Sequence, residues 1–473
     1  MRDTILKGGF VVSVDPDIGN RGDTDVLIRD GKIQAIDSNL EVTDAEVVDA
    51  SDCIVMPGIV DGHRHIWQGA MRGVCADWSL MDYVSGIRMN AATAYSPDDM
   101  YAAQFHGGLE ALNAGVTTIT DYCHNILTPD HAHEAIRGLK DSGLRTIWNY
   151  GFNFPPQPAP HFTSLNDRVE FARTLAAQYF SSTDQLVTMG VAPEERGFWT
   201  TPDIGKAQFE LARELNARIF WHANGGEENG EMPQDIKALH ELGLLGPDVV
   251  GVHMHATQAE EWKMLADAGG AVAFTPDTEL QMGMKWSSTE IARRYGIPQS
   301  YGADIISNNN GDMFTQLRLG LQAARARAID EEGVYMTGVP FTCADALRWG
   351  TLEGAKALGL DHAIGSLTPG KLADMVMLRA DSLTMVGWDK SNPASLILQA
   401  QSSDVDSVLV GGTFVKRDGK MTGNVVNACR LLEEANHRIH NIVKDRGGFL
   451  LDPEEFMNRA LAIQSSEHGQ YPA

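Results

Sequence analysis

Residues 57–73 read PGIVDGHRHIWQGAMRG. An apolar run of Ile54, Val55 and Met56 feeds a Pro-Gly pair, and two histidines follow one residue apart, His63 and His65. On a strand, side chains i and i+2 point to the same side, so this spacing sets two imidazoles beside each other at a strand end. Protonated, they repel; neutral, they compete for the same hydrogen-bond partners. A divalent cation resolves both conflicts, because neutral imidazole is its commonest ligand. The alternative is two histidines with unrelated partners, and the rest of the chain decides between them.

Working outward, short apolar runs alternate with helical stretches. TTITDYCHN (117–125), RTIWNYGFN (145–153), LVTMGVAPEE (186–195), ARIFWHANG (217–225), VVGVHMHAT (249–257), GAVAFTPDTE (270–279) and QSYGADIIS (299–307) join the first run to make eight. Between them, stretches such as MYAAQFHGGLEALNAG and AEEWKMLADAGG have helical spacing with a closing glycine. Eight strands alternating with helices predict an α/β fold of the (β/α)8 TIM-barrel type. A doubly wound sheet is the alternative, but its glycine fingerprint is missing.

The two ends share a different grammar. DVLIRDGKIQAID turns at Asp30-Gly31, and DSVLVGGTFVKRDGKM turns at Gly411-Gly412 and again at Asp418-Gly419. Both are hairpin signals. They predict a small β-sandwich domain built from both chain ends, residues 1–57 and 365–428, around a barrel at 58–364. Residues 429–473 are expected to form a helix and a tail.

Composition narrows the function. The 473 residues carry a net charge of −25, a field that repels phosphate backbones, so no nucleic-acid partner is expected. No apolar stretch approaches the ~18–20 residues of a membrane helix, and the N-terminus lacks a signal-peptide cleavage site, so no membrane partner and a cytoplasmic location are expected. Five scattered cysteines without a C-x-x-C pair suit reduced thiols.

In a barrel of this kind catalytic groups sit at the C-terminal strand ends. Strand one ends in His63 and His65, strand five in His222, strand six in His253 and His255, and strand eight in Asp304. Histidines from separate strands with a carboxylate on the last converge on the ring that a single divalent metal needs. The same residues carry a resemblance. PGIVDGHRH, HAN (222–224), HMHATQAEE (253–261), GADIISNNNGDMF (302–314) and IGSLTPGKLADMVML (364–378), in this order, resemble the amidohydrolase superfamily. Within it, the chain looks like the branch of cytosine, guanine and S-adenosylhomocysteine deaminases and triazine chlorohydrolases. The resemblance implies one metal held by His63, His65, His222 and Asp304, with His255 polarising or protonating the substrate. It also implies a homo-oligomer, a dimer or larger.

The chemistry expected is hydrolysis by a metal-activated water, with Asp304 as proton acceptor and donor and His255 stabilising negative charge. The donor set suits zinc, with iron, cobalt or manganese as alternatives. Strand four offers no lysine for a bridging carbamate, so one ion is expected. The chain also departs from the deaminases. They carry a glutamate three residues after the strand-five histidine, where this chain has Gly225, and many place a histidine before Ala-Pro on strand four, where it has Val191. Glu227 and Glu228 lie nearby but out of register. These departures favour cleavage of a C–N or C–S bond in a small, fairly apolar amide, urea, carbamate or thiocarbamate. Deamination or dechlorination of an N-heterocycle is the alternative, and a non-enzymatic scaffold is disfavoured because all four ligands are present.

Substrate contacts are expected from Trp67 and Gln68 on the loop after the first motif, whose Met71, Trp78, Met81 and Tyr83 suit either a pocket or a subunit interface. His124 at the end of strand two, Glu279 after strand seven and His253 beside His255 complete the candidates. Spacing to TQAEE favours His255 over His253 for the catalytic place.

Overall fold

The computed structural model describes residues 3–153, 161–196, 201–225, 232–334 and 337–459. Eight parallel strands follow one another around a barrel: Ile59–Arg64, Val116–Cys123, Arg145–Gly151, Val187–Ala192, Arg218–Ala223, Val249–His253, Ala271–Phe274 and Gln299–Tyr301. They coincide with the eight apolar runs. Helices such as Pro97–Asn113, Pro129–Ser142 and Pro202–Glu214 lie between them, each opened by a proline that needs no intrahelical N–H partner there.

The barrel closes where the last strand meets the first. His65 N donates to Asp304 O at 2.7 Å and Asp304 N to His63 O at 2.9 Å. The closure needs two glycines: a Cβ on Gly62 would meet Ser300 Oγ at 2.1 Å, and one on Gly302 would meet His63 O at 2.4 Å. The seam therefore brings the two ends of the barrel sheet together at the residues proposed as ligands.

Nine strands from both chain ends make a second, mixed sheet. Thr4–Val12 pairs with Asn20–Arg29 and Glu46–Asp49, while Cys53–Pro57 pairs with Met375–Arg379 and so stitches the N-terminal part to the C-terminal part. Leu6, Val11, Val26, Ile28, Met375 and Leu409 form its own apolar core, apart from that of the barrel. Arg145, at the start of the third barrel strand, clamps Asp374 through Nε and Nη2 at 2.7 and 3.0 Å and ties the two units together.

The helix expected near the C-terminus spans Val425–Asp445. It lies on the turn Ile66–Met71, where Asn436 Nδ2 donates to Ala70 O at 2.7 Å. The chain then crosses the loop around residues 78–93: Asn90 Nδ2 donates to the carbonyls of Gly448 and Phe449, and Arg459 Nη1 to that of Met89. No described helix is long and apolar enough to cross a membrane.

Candidate active site

Four side chains meet at the closure seam. His63 Nε2 lies 3.3 Å from both His222 Nε2 and Asp304 Oδ1, and His65 Nε2 lies 3.5 Å from Asp304 Oδ1. Two of the imidazoles have their outer nitrogens engaged. His65 Nδ1 donates to the carbonyl of Tyr122 at 2.8 Å, and His222 Nδ1 donates to Glu195 Oε1 at 3.0 Å. Each of these rings, when neutral, therefore turns a bare lone pair inward at Nε2. Lone pairs and a carboxylate oxygen packed this closely repel unless a cation sits among them. Ligand bonds of about 2.0–2.2 Å in a tetrahedron set neighbouring donors about 3.3–3.6 Å apart, the spacing of His63 to His222, His63 to Asp304 and His65 to Asp304. The residues fit a single divalent metal.

Protonation states agree. Burial holds His65 well below the ordinary histidine range, and burial pushes His222 down to about 4 against the opposing pull of Glu195. Burial would raise the Asp304 carboxyl, but the His63 contact and the charge of His253 hold it well below the usual carboxylate range.

Around this ring the expected neighbours are redistributed. His253 Nε2 lies 4.0 Å from Asp304 Oδ2, and its ring stacks on that of His222 at 5.3 Å. Its Nδ1 faces Thr275 Oγ1 at 3.1 Å and Glu279 Oε1 at 3.4 Å. Burial opposes its protonation, but Glu279 and Asp304 outweigh that and raise it above the ordinary value. His255 stands behind it: its ring is 5.8 Å from that of His253, its Nε2 faces Glu279 at 3.8 Å, and burial lowers it to about 4. The structure thus places His253, and not the His255 that the spacing favoured, beside Asp304. The cause is backbone: His253 and Met254 have φ of 69° and 56°, so the strand ends at His253 and the alternation fails.

A cavity of 510 Å³ opens above the ring, lined by His65, His124, His222, His253 and Asp304. Leu80, Met81, Val84, Met89, Met282, Met284, Ile305 and Phe456 make its apolar walls, and Arg88 and Glu195 form a charged corner. Trp67 and Gln68 do not line it. Trp67 is buried and donates its indole N–H to His124 Nδ1, while Gln68 is buried between Tyr83 and Ser307. Glu279 is buried behind His253, where it also accepts from Thr275 N and Ser287 Oγ. Met81 and Tyr83 do reach the cavity.

Gly225 borders the cavity, and a Cβ there would meet nothing within 4 Å among the described residues. Val191 is buried in its strand, and Glu227 and Glu228 lie outside the described residues. Among the cavity residues not foreseen are Glu195, Arg88 and Phe456. Glu195 closes the run VAPEE and accepts from His222, from Arg88 Nη1 at 3.0 Å and from Asn153 Nδ2. Burial opposes its ionisation, but Arg88 and His222 hold it well below the usual range. Its position at a strand end was the available signal. Arg88 and Phe456 come from the short helical segment Val84–Arg88 and from a helical turn at 453–459, far from any motif that points to a site.

These features define a barrel hydrolase with a histidine–aspartate metal centre. The profile of the amidohydrolase family matches residues 54–415, and the chain belongs to that family as an enzyme acting on carbon–nitrogen bonds. Among its relatives are a 5-methylthioadenosine/S-adenosylhomocysteine deaminase of Syntrophobacter fumaroxidans, 26% identical over 92% of this chain and 97% of the relative. A 5'-deoxyadenosine deaminase of Methanothermobacter thermautotrophicus is 26% identical over 84% and 90%. Solved structures share the fold: a zinc-bound adenosine deaminase from Xanthomonas campestris has a TM-score of 0.80 at 23% identity, covering 93% of this chain and 99% of that one. An atrazine chlorohydrolase from Arthrobacter aurescens, complexed with zinc, has a TM-score of 0.80 at 21% identity, covering 92% and 100%.

Proposed function

We propose that the protein hydrolyses the exocyclic amine from an N-heterocycle bearing an apolar substituent, with one zinc ion as its metal. The cavity carries this proposal: a metal-ligand floor beneath walls of methionine, leucine and phenylalanine suits a flat, apolar-substituted ring. The likeness of more than four-fifths of the chain to deaminases of adenine compounds supports it. This reverses the emphasis that Gly225 and Val191 gave to acyl substrates.

In this proposal His63, His65, His222 and Asp304 hold the ion, which when bound supplies a water acidic enough to attack at neutral pH. Asp304 turns Oδ1 to the histidines and Oδ2 to Thr275 Oγ1 and His253. Oδ2 is therefore the oxygen placed to take the proton of the attacking water and to return it to the leaving amine. His253, whose protonation Glu279 favours, faces the same side and is placed to stabilise negative charge on the attacked ring. The geometry favours His253 over His255 for that role. Glu195, with donors on both oxygens, orients His222 and is not free to carry a proton.

A second reading keeps the acyl C–N or C–S substrates, favoured by the open space at Gly225 where a ring-protonating carboxylate would stand. Incubating zinc-loaded enzyme with aminated and chlorinated heterocycles beside ureas, amides, carbamates and thiocarbamates, with products identified by mass, decides between them. Ammonia from the rings, lost on chelation, is the expected result. Amine or thiol release from the acyl compounds alone overturns it.

A further inference from the structure

We propose that His124 presents a fixed Nε2–H donor to an acceptor atom of the substrate, and that Trp67 sets the donor by fixing the tautomer of the ring. The proposal rests on the cavity being the substrate site. An indole N–H can donate and never accept. It lies 3.1 Å from His124 Nδ1, so that nitrogen offers a lone pair, the ring is neutral and its single proton sits on Nε2. Trp67 is fully buried, and its carbonyl takes the Tyr95 hydroxyl at 2.7 Å, so the donor cannot move away.

The ring is fixed a second time by stacking on His65, with centroids 4.4 Å apart and planes at 11°. His124 is 4% exposed, lines the cavity, and its Nε2 has no partner among the described residues. A buried donor left unmet is costly, and this side chain borders the cavity. With its lone pair committed to Trp67, the ring cannot join the neighbouring metal ligands. What remains is a directional donor one ring away from His65. It selects substrates with a ring nitrogen or carbonyl oxygen beside the reacting carbon and discriminates against a C–H at that position.

Two measurements on the zinc-loaded enzyme test this. Imidazole ¹⁵N NMR, with His124→Gln identifying the signal, is expected to show the proton on Nε2 in the wild type and a second tautomer in Trp67→Phe. A proton on Nδ1 in the wild type overturns the proposal. The other measurement uses 5'-methylthioadenosine with its 1-, 3- and 7-deaza analogues. His124→Ala is expected to raise KM about ten- to hundredfold with kcat and zinc content retained. His124→Gln, which keeps an N–H near the same place, restores most of that, and for one deaza analogue the wild type and His124→Ala bind alike. An equal loss against every analogue, or no rescue by glutamine, overturns the proposal. If the wild type binds none of these compounds, the heterocycle reading fails instead, and the tautomer alone decides for or against the donor.

Discussion

Two of the chain's His-x-His pairs stand at barrel-strand ends, and they behave differently. His63 and His65 sit where a regular strand passes into a turn, and Arg64 between them turns away to Asp61, its Nε donating at 2.8 Å. Alternation holds, and both imidazoles reach the same carboxylate oxygen. His253 and His255 straddle a strand end with positive φ at His253 and Met254. One ring joins the metal-side cluster while the other backs onto Glu279. A spacing of two is a statement about function only while the backbone stays extended.

The largest expected effect breaks the first pair. His65→Ala should strip the bound metal and cut kcat by at least about 10⁴-fold, since the metal supplies several kcal/mol of the barrier reduction. Metal analysis beside steady-state kinetics checks it, and a variant that keeps both metal and activity removes His65 from the ligand set. The second pair is the sharper test. His253→Asn should lower kcat about 10²-fold or more with metal retained, whereas His255→Asn should cost under about tenfold. Equal losses, or the reverse order, would mean that the bend at His253 does not separate their roles.

A smaller effect is expected one contact further out. Glu195→Gln weakens the hold on the His222 tautomer, so zinc affinity measured by chelator competition should fall about 10- to 100-fold. Unchanged affinity would show that the Glu195–His222 hydrogen bond does nothing for the metal.

The mildest prediction concerns pH. His255 is lowered to about 4 by burial, against about 6.5 in an unfolded chain. Between these values the unfolded state binds more protons than the folded one, so stability falls as pH drops from about 6.5 towards 4. Denaturant unfolding of the apo-protein should therefore lose about 2 kcal/mol from this residue between pH 7.5 and 5. His255→Phe should flatten that slope, and an unaltered slope would place the proton uptake elsewhere.

Much of this architecture was legible because it depends on periodicity. The eight apolar runs became the eight strands, and the hairpin turns at both ends became one shared sheet. The four expected ligands lie together because each stands at or just past the C-terminal end of a barrel strand. What escaped was set by irregular backbone or by distance along the chain. The bend at His253 sets that ring, not His255, beside Asp304, and Trp67, expected to touch substrate, is buried with its indole N–H on His124. Glu195 was visible at a strand end but had no spacing to a partner. Arg88 and Phe456 reach the cavity from short helical segments, Val84–Arg88 and 453–459, that carry no motif and lie far apart along the chain.

The position of Phe456 separates two properties of the enzyme along its chain. All four proposed ligands lie between residues 63 and 304, while part of the cavity wall belongs to the final described segment. A nascent chain holds its metal donors long before that wall has been synthesised. Mutation, insertion or shuffling in the tail can thus change which molecules are accepted while the ion stays bound throughout. That leaves a lineage free to explore new substrates without passing through dead intermediates.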